Sequence, residues 1–324
     1  MYTPSHLSTR AGNYSLNIKA LPYVTLLGFM FGSSMVFSRF GVGQFEPTTY
    51  IGIRMIISSL TALAVYRIAT GRRLPRDREL WKRAGLLGIF GTAVPMTCVI
   101  VSLQYLSSGV SALLLSTGPA ITIILAHFTL PDEHLSRRKV FGVGLALGGA
   151  MLLALSGEDG LPDAQSTAST GFLLVSVGMT FGSVMVIYAR KRLTGYDAYD
   201  VGSIRIFTTA LVVMPLSLLT VGFDLSAVTG SGYLALLYSA IVGTFLGLLL
   251  SFYNIKRFGA TPAIMSTYII PIFAGIGGVL VLGEEITLTM LIGMGVIVSG
   301  IALLQEYNNT PATWMRRYPH RGSY

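Results

Sequence analysis

Residues 31–36 read Phe31-Gly32-Ser33-Ser34-Met35-Val36, and 150 positions later the chain reads Phe181-Gly182-Ser183-Val184-Met185-Val186, identical at five of six places. The same offset carries Gly28-x-x-x-Gly32 onto Gly178-x-x-x-Gly182. Farther along, at offsets of 151 or 152, Ile53-Arg54 matches Ile204-Arg205, Gly91-Thr92 matches Gly243-Thr244, Pro119 matches Pro271, and Gly142-x-Gly144 matches Gly293-x-Gly295. One such glycine pair is ordinary helix packing. An offset held along the whole half-chain is an internal repeat.

The solvent of this repeat is lipid. Of 324 residues 52% are hydrophobic before 37 glycines are counted, and only 11% are charged, where a soluble domain carries roughly 25%. Too few charges exist to cover a soluble body, which argues against a soluble enzyme and a disordered chain. The single cysteine, Cys98, excludes an intrachain disulfide. The net charge of +9 does not point to nucleic acid, because the basic residues punctuate apolar runs instead of sharing a face with aromatics. Residues 1–19 hold no apolar core or small-residue cleavage site, so no cleavable signal peptide is expected.

A bilayer core about 30 Å thick needs about 20 helical residues. Ten apolar runs meet this: 20–40, 48–68, 84–106, 109–130, 140–156, 171–189, 201–222, 232–254, 260–282 and 286–304. They are continuously apolar with no alternation, so helices are expected and strands are not. The fold class is therefore all-α and polytopic. Tails at 1–19 and 306–324 flank halves at 20–157 and 171–305, joined by a linker at 158–170. With both tails placed inside, the inner segments hold 20 of the 23 basic residues, and the outer ones keep only Arg39 beside Glu46, Glu158, Asp159, Asp163, Asp224, Glu284 and Glu285. That is the positive-inside pattern of a plasma (inner) membrane protein with cytoplasmic termini.

Five spans per half is an odd number, so the second half enters from the opposite side, the inverted-repeat arrangement of secondary transporters. Two nearly equivalent shapes, one open to each side, are the physical consequence. The chain here resembles the drug/metabolite transporter superfamily and, within it, the EamA-like ten-helix branch that includes amino-acid exporters of the YddG type. The resemblance covers about residues 20–305. It rests on the span count, an Arg early in the second helix of each half (Arg54, Arg205), a Pro in the fourth (Pro119, Pro271), and a Glu closing that helix. Gly283-Glu284-Glu285-Ile286-Thr287 is similar to the family's Gly-Glu-x-Leu-Thr run, whereas the first half reads Asp132-Glu133-His134-Leu135-Ser136, with Asp in place of Gly. The resemblance implies a basket around a central cavity lined by helices 1, 3, 4, 6, 8 and 9, with 5 and 10 peripheral.

No phosphate-binding loop ending in Lys-Ser or Lys-Thr occurs, so the energy is expected from gradients. Gly142-x-Gly144-x-x-x-Gly148 lies inside a span and reads as helix packing, not a dinucleotide loop. His127 and Asp132 have the spacing of a membrane acyltransferase, the alternative enzyme class, but the pair straddles Pro131 and lacks an oxyanion site. Nothing points to a catalytic residue, cofactor or metal. The 14 acidic residues fall in loops or at helix ends. Proton-driven carriers usually keep a carboxylate in the pathway, so facilitated export or exchange is the expectation.

The expected partners are a small-molecule substrate and the bilayer, with oligomeric state left open. A substrate site is expected near the midplane. Pro119 frees a carbonyl near Ser116 and Thr117, and Pro271 one near Thr267 and Tyr268. Ser33, Ser34 and Ser183 add hydroxyls, and Phe31, Phe181 and Tyr268 add aromatic surface for an apolar portion. A phosphorylated or nucleotide-linked substrate is the alternative, and it would require Lys256 and Arg257 to face the cavity. An Arg inside a span needs a partner or water. Pairing Arg54 with Glu284 outside and Arg205 with Glu133 inside would make alternating latches. Helix-end carbonyls, lipid phosphates and an anionic substrate group are the other partners for these arginines.

Overall fold

Capping residues and proline set most of the helix starts. Pro47 opens the second helix, and the side chains of Asp77, Ser107, Ser136, Asp197 and Thr229 accept from backbone N–H groups at the next five starts so marked, meeting donors that a helix leaves unpaired. The computed structural model describes residues 19–70, 75–131, 134–162, 168–222, 224–258 and 260–304. Among these there is no strand. The helices are α1 (Leu21–Val42), α2 (Pro47–Thr70), α3 (Arg78–Ser102), α4 (Ser108–Thr129), α5 (Arg137–Leu155), α6 (Ala168–Arg192), α7 (Ala198–Thr220), α8 (230–258), α9 (260–282) and α10 (Leu288–Leu304).

Within the described residues α1 to α9 each contain a stretch of at least 18 residues apolar enough to cross a bilayer, and α10 has 17, which still suffices for the hydrocarbon core. Leu60, Leu155, Leu219, Leu234 and Leu280 are exposed around the bundle. Such a surface would be costly in water and is natural in lipid. Helix α3 begins six residues before the expected apolar run, because Asp77 caps a polar first turn in which Glu79 pairs with Arg83 at 2.8 Å.

The packing follows the inverted repeat. Helix α1 lies on α9 as α6 lies on α4, α2 lies on α8 as α7 lies on α3, and the pairs α2–α7 and α5–α10 are each their own image. The α5–α10 seam sits at the margin of the bundle. A Cβ on Gly142 would lie 2.7 Å from the Gly300 carbonyl oxygen, and one on Gly149 equally close to Ile297. This is the close contact expected of Gly142, whereas Gly144 and Gly148 have open space beside them.

Three π-helical stretches interrupt the regular turns, at Ile89–Ala93 in α3, Ser239–Leu246 in α8 and Gly278–Leu282 in α9. The first precedes Pro95, whose missing N–H and ring disfavour a regular turn there. Helix α4 breaks at Ser116–Thr117 just before Pro119, while Pro271 is absorbed inside Ala260–Gly277. The two prolines that match in sequence therefore differ in effect.

Candidate functional site

Arg54 is buried, and three of its N–H groups donate to three hydroxyls on two other helices. Nε reaches Thr244 Oγ1 on α8 at 2.9 Å, Nη1 reaches Ser38 Oγ at 2.8 Å and Nη2 reaches Ser34 Oγ at 3.1 Å, both on α1. Ser38 passes its own proton to the Ser34 carbonyl at 2.6 Å and Thr244 to that of Ser239 at 3.1 Å. A buried charge needs hydrogen-bond partners of this kind. One turn on, Ser58 donates to the Ala240 carbonyl of α8 at 2.9 Å.

The same set recurs at the opposite end of the bundle. Arg205 on α7 donates through Nε to Thr92 Oγ1 of α3 and through Nη2 to the Gly91 carbonyl at 2.8 Å, and Thr209 donates to the Gly88 carbonyl at 3.0 Å. Thr92 matches Thr244, Thr209 matches Ser58 and Gly88 matches Ala240 at the repeat offset. Each half thus lends an arginine to the π-turn of the other. The two clusters are unequal because Ser34 and Ser38 correspond to Val184 and Tyr188, so α6 offers Arg205 no serine at those two places.

The expected Arg54–Glu284 pair is not made. Gly283 takes a left-handed conformation, φ 68°, which ordinary side chains rarely adopt. The turn brings Glu284 over the start of α4, where it accepts from the Ser108 amide at 2.8 Å and the Ser108 hydroxyl at 2.6 Å. A helix N-terminus favours an anion. Burial still pushes this carboxyl up from the usual carboxylate range, with Ser108 and Arg39 pulling it down. The residue across from Glu284 is Arg39, on the wall of the same cavity. Glu133 and Asp132 lie outside the described residues, and with them the Arg205–Glu133 latch and the His127–Asp132 pairing.

Glu284→Ala leaves the buried Ser108 amide without its acceptor and the Ser108 hydroxyl with the Ala274 carbonyl at 3.1 Å, so the protein should lose roughly 1–3 kcal/mol. Thermal unfolding in detergent should show the lower midpoint. Glu284→Gln, which keeps an acceptor, should lose clearly less.

The expected substrate residues divide into separate groups. Ser33 meets the Tyr238 hydroxyl at 2.8 Å, and Tyr238 also packs on Phe37 at 4.5 Å between ring centres. Ser183 accepts from Thr122 at 3.0 Å. Ser116 donates to the Thr267 carbonyl at 3.0 Å, tying the break in α4 to α9, while Thr117 bonds back to Leu114 at 2.7 Å. Phe31 packs against Gly247, and Phe181 stacks on Phe90 at 6.4 Å. Tyr268 lies against the apolar core that includes Val110 and Leu113, and Pro271 borders an apolar lateral cavity of about 200 Å³ with Gly109 and Ile276. Ser34 is spent on Arg54. Arg257 lies 5.7 Å over the rings of Tyr253 and Phe258, and the side chain of Lys256 is outside the described residues.

Ser38, Thr122, Tyr238 and Thr244 were not anticipated. Ser34 and Ser38 stand four apart on one helix face, a spacing that could have linked them.

A fold of ten spans in two mutually bonded inverted halves defines a membrane transporter, and comparison with known proteins agrees. The model of the EamA-like transporter family matches residues 18–155 and again 169–305. The chain belongs to that family, and it is a multi-pass membrane protein. It is 27% identical over 280 residues to the "Uncharacterized inner membrane transporter YedA" of Escherichia coli (strain K12), covering 86% of this chain and 88% of that one. A chloroplastic WAT1-related protein of Arabidopsis thaliana is 26% identical, covering 85% of this chain and 67% of its own. A solved crystal structure superposes with a TM-score of 0.61 at 18% identity, over 86% of this chain and 95% of that chain, which shows the common fold.

Proposed function

We propose that the protein exports small amphipathic metabolites, amino acids or related drug-like compounds, across the plasma membrane by alternating access, with both termini cytoplasmic. The observation that carries this reading is the reciprocal bonding of the two halves. Arg54 holds the π-turn of α8 near one end of the bundle and Arg205 that of α3 near the other, so changes at one end have an image at the other. Uncharged polar groups beside aromatic rings, as at Ser33, Tyr238 and Phe37, suit a ligand that is part polar and part apolar. Among the described residues no Asp or Glu lies in the central turns of a span, which supports facilitated or exchange transport over proton coupling. The concentration of Lys and Arg at the Arg83 end of the bundle supports placing that end in the cytoplasm, and the name of the Escherichia coli relative supports the inner membrane.

Counterflow into liposomes holding the purified protein tests the reading. An amphipathic amino acid such as phenylalanine should exchange well above the rate of empty vesicles. Exchange of sugar phosphates alone, or of no amino acid, would contradict it.

A further inference from the structure

A cavity of about 350 Å³ opens at the Glu284 end, between the last turn of α1 (Arg39, Phe40), the α1–α2 turn (Gln44), the segment before α6 (Leu161, Pro162) and the end of α9 (Leu282, Glu284). Its volume falls within the about 300–1,000 Å³ usual for small-ligand sites. On the orientation proposed above it faces outward, and Arg39 is the lone basic residue in the outer segments.

The charges of this cavity are held apart. Arg39 and Glu284 attract each other electrostatically, yet among the described residues the ion pair within 4.0 Å is Arg83–Glu79 alone, and the Arg39 guanidinium makes no hydrogen bond there. Glu284 is fixed in place by Ser108, and its two oxygens retain lone pairs for a further donor. The Gln44 carbonyl oxygen accepts from the Thr229 amide at 3.0 Å and hydroxyl at 2.7 Å, leaving its NH₂ to donate. Phe40, Leu161, Pro162 and Leu282 supply apolar wall.

We propose that this cavity is a second substrate station, which takes a zwitterionic α-amino acid with its carboxylate on Arg39 and the Gln44 amide, its ammonium on Glu284 and its side chain on the apolar wall. A plain anion would meet the Glu284 charge, and a plain cation would meet Arg39. A zwitterion answers both. The station rests on the export reading and gives it a substrate class and an exit-side stop.

The test is counterflow of phenylalanine in liposomes of uniform orientation, with the half-saturating concentration measured from each side. Arg39→Gln should raise the outer value about tenfold or more, the size of a lost charge-assisted pair, and leave the inner value unchanged. Arg39→Lys, which keeps the charge, should shift it less. Phenylalaninamide and 3-phenylpropionate should compete at the outer face at least about tenfold more weakly than phenylalanine. Equal shifts on both sides, or none, would overturn the station. Should the wild-type protein move no phenylalanine, calorimetry in phospholipid-free detergent decides. Binding that Arg39→Gln abolishes keeps the station and sinks the export reading alone, whereas no binding, or binding indifferent to Arg39, overturns the station. Displacement of phenylalanine by glycerophosphoethanolamine would mark a lipid headgroup as the occupant and overturn it too.

Discussion

Arg54→Lys should cost transport about tenfold or more although it keeps the charge, since one hydrogen bond to a charged group is worth about 1.5–3 kcal/mol. The guanidinium spans three hydroxyls on two helices, through Nε to Thr244 and through its two terminal nitrogens to Ser38 and Ser34. A lysine ammonium is a point on a flexible stem and cannot reproduce that planar fork. The tie joins α2 of one half to α8 of the other, so on the alternating-access reading proposed above its loss should shift the balance between the two shapes. A double-mutant cycle of Arg54→Gln with Thr244→Val, read on counterflow, should show coupling of about 1–3 kcal/mol. Arg54→Gln with Glu284→Gln should instead be additive, because Glu284 is engaged by Ser108. Coupling between Arg54 and Glu284 as strong as that between Arg54 and Thr244 would contradict the assignment.

Gly32→Ala should be severe where Gly182→Ala is mild, despite their matching places in the repeat. A Cβ on Gly32 would sit 2.6 Å from the Ile270 carbonyl oxygen and 2.7 Å from the Phe273 Cβ. Neither neighbour is the far end of a flexible side chain, so α1 and α9 must separate. Overpacking of this kind costs about 1–3 kcal/mol, and here it also displaces Ser33 and Ser34, which reach Tyr238 and Arg54. Beside Gly182 nothing lies within 4 Å. Thermal midpoint and counterflow rate measured together should both fall for Gly32→Ala and stay near wild type for Gly182→Ala. Equal losses at the two positions would show that the halves pack alike.

The fold was legible because a span is a long apolar run and an inverted repeat leaves a constant offset, and both survive in one dimension. The site was legible only in pieces. The pairs Ile53-Arg54 with Ile204-Arg205 and Gly91-Thr92 with Gly243-Thr244 all stand in the repeat, yet nothing in their spacing says that the arginine of one half meets the threonine of the other. That contact depends on α2 lying beside α8, a tertiary fact. Pairing Arg54 with Glu284 followed charge and depth, and in this structure the pair is not made, because Gly283 turns Glu284 toward the N-terminus of α4. The matching prolines were legible as places where a carbonyl is freed, and the Thr267 carbonyl one turn before Pro271 is indeed taken by the Ser116 hydroxyl. What the sequence did not tell is that Pro119 stands just after a break, at the start of Gly118–Thr129, while Pro271 stays inside a continuous helix, since the surroundings decide whether a missing N–H breaks a helix.

The claim that the two halves exchange shapes is tested most directly by labelling Ser33→Cys and Ser183→Cys, matched positions of the repeat, each on a Cys98→Ala background, with a membrane-impermeant thiol reagent applied from either side. Adding phenylalanine should raise the labelling rate of one position and lower that of the other. Rates that both stay constant, or that move in the same direction, would contradict the account.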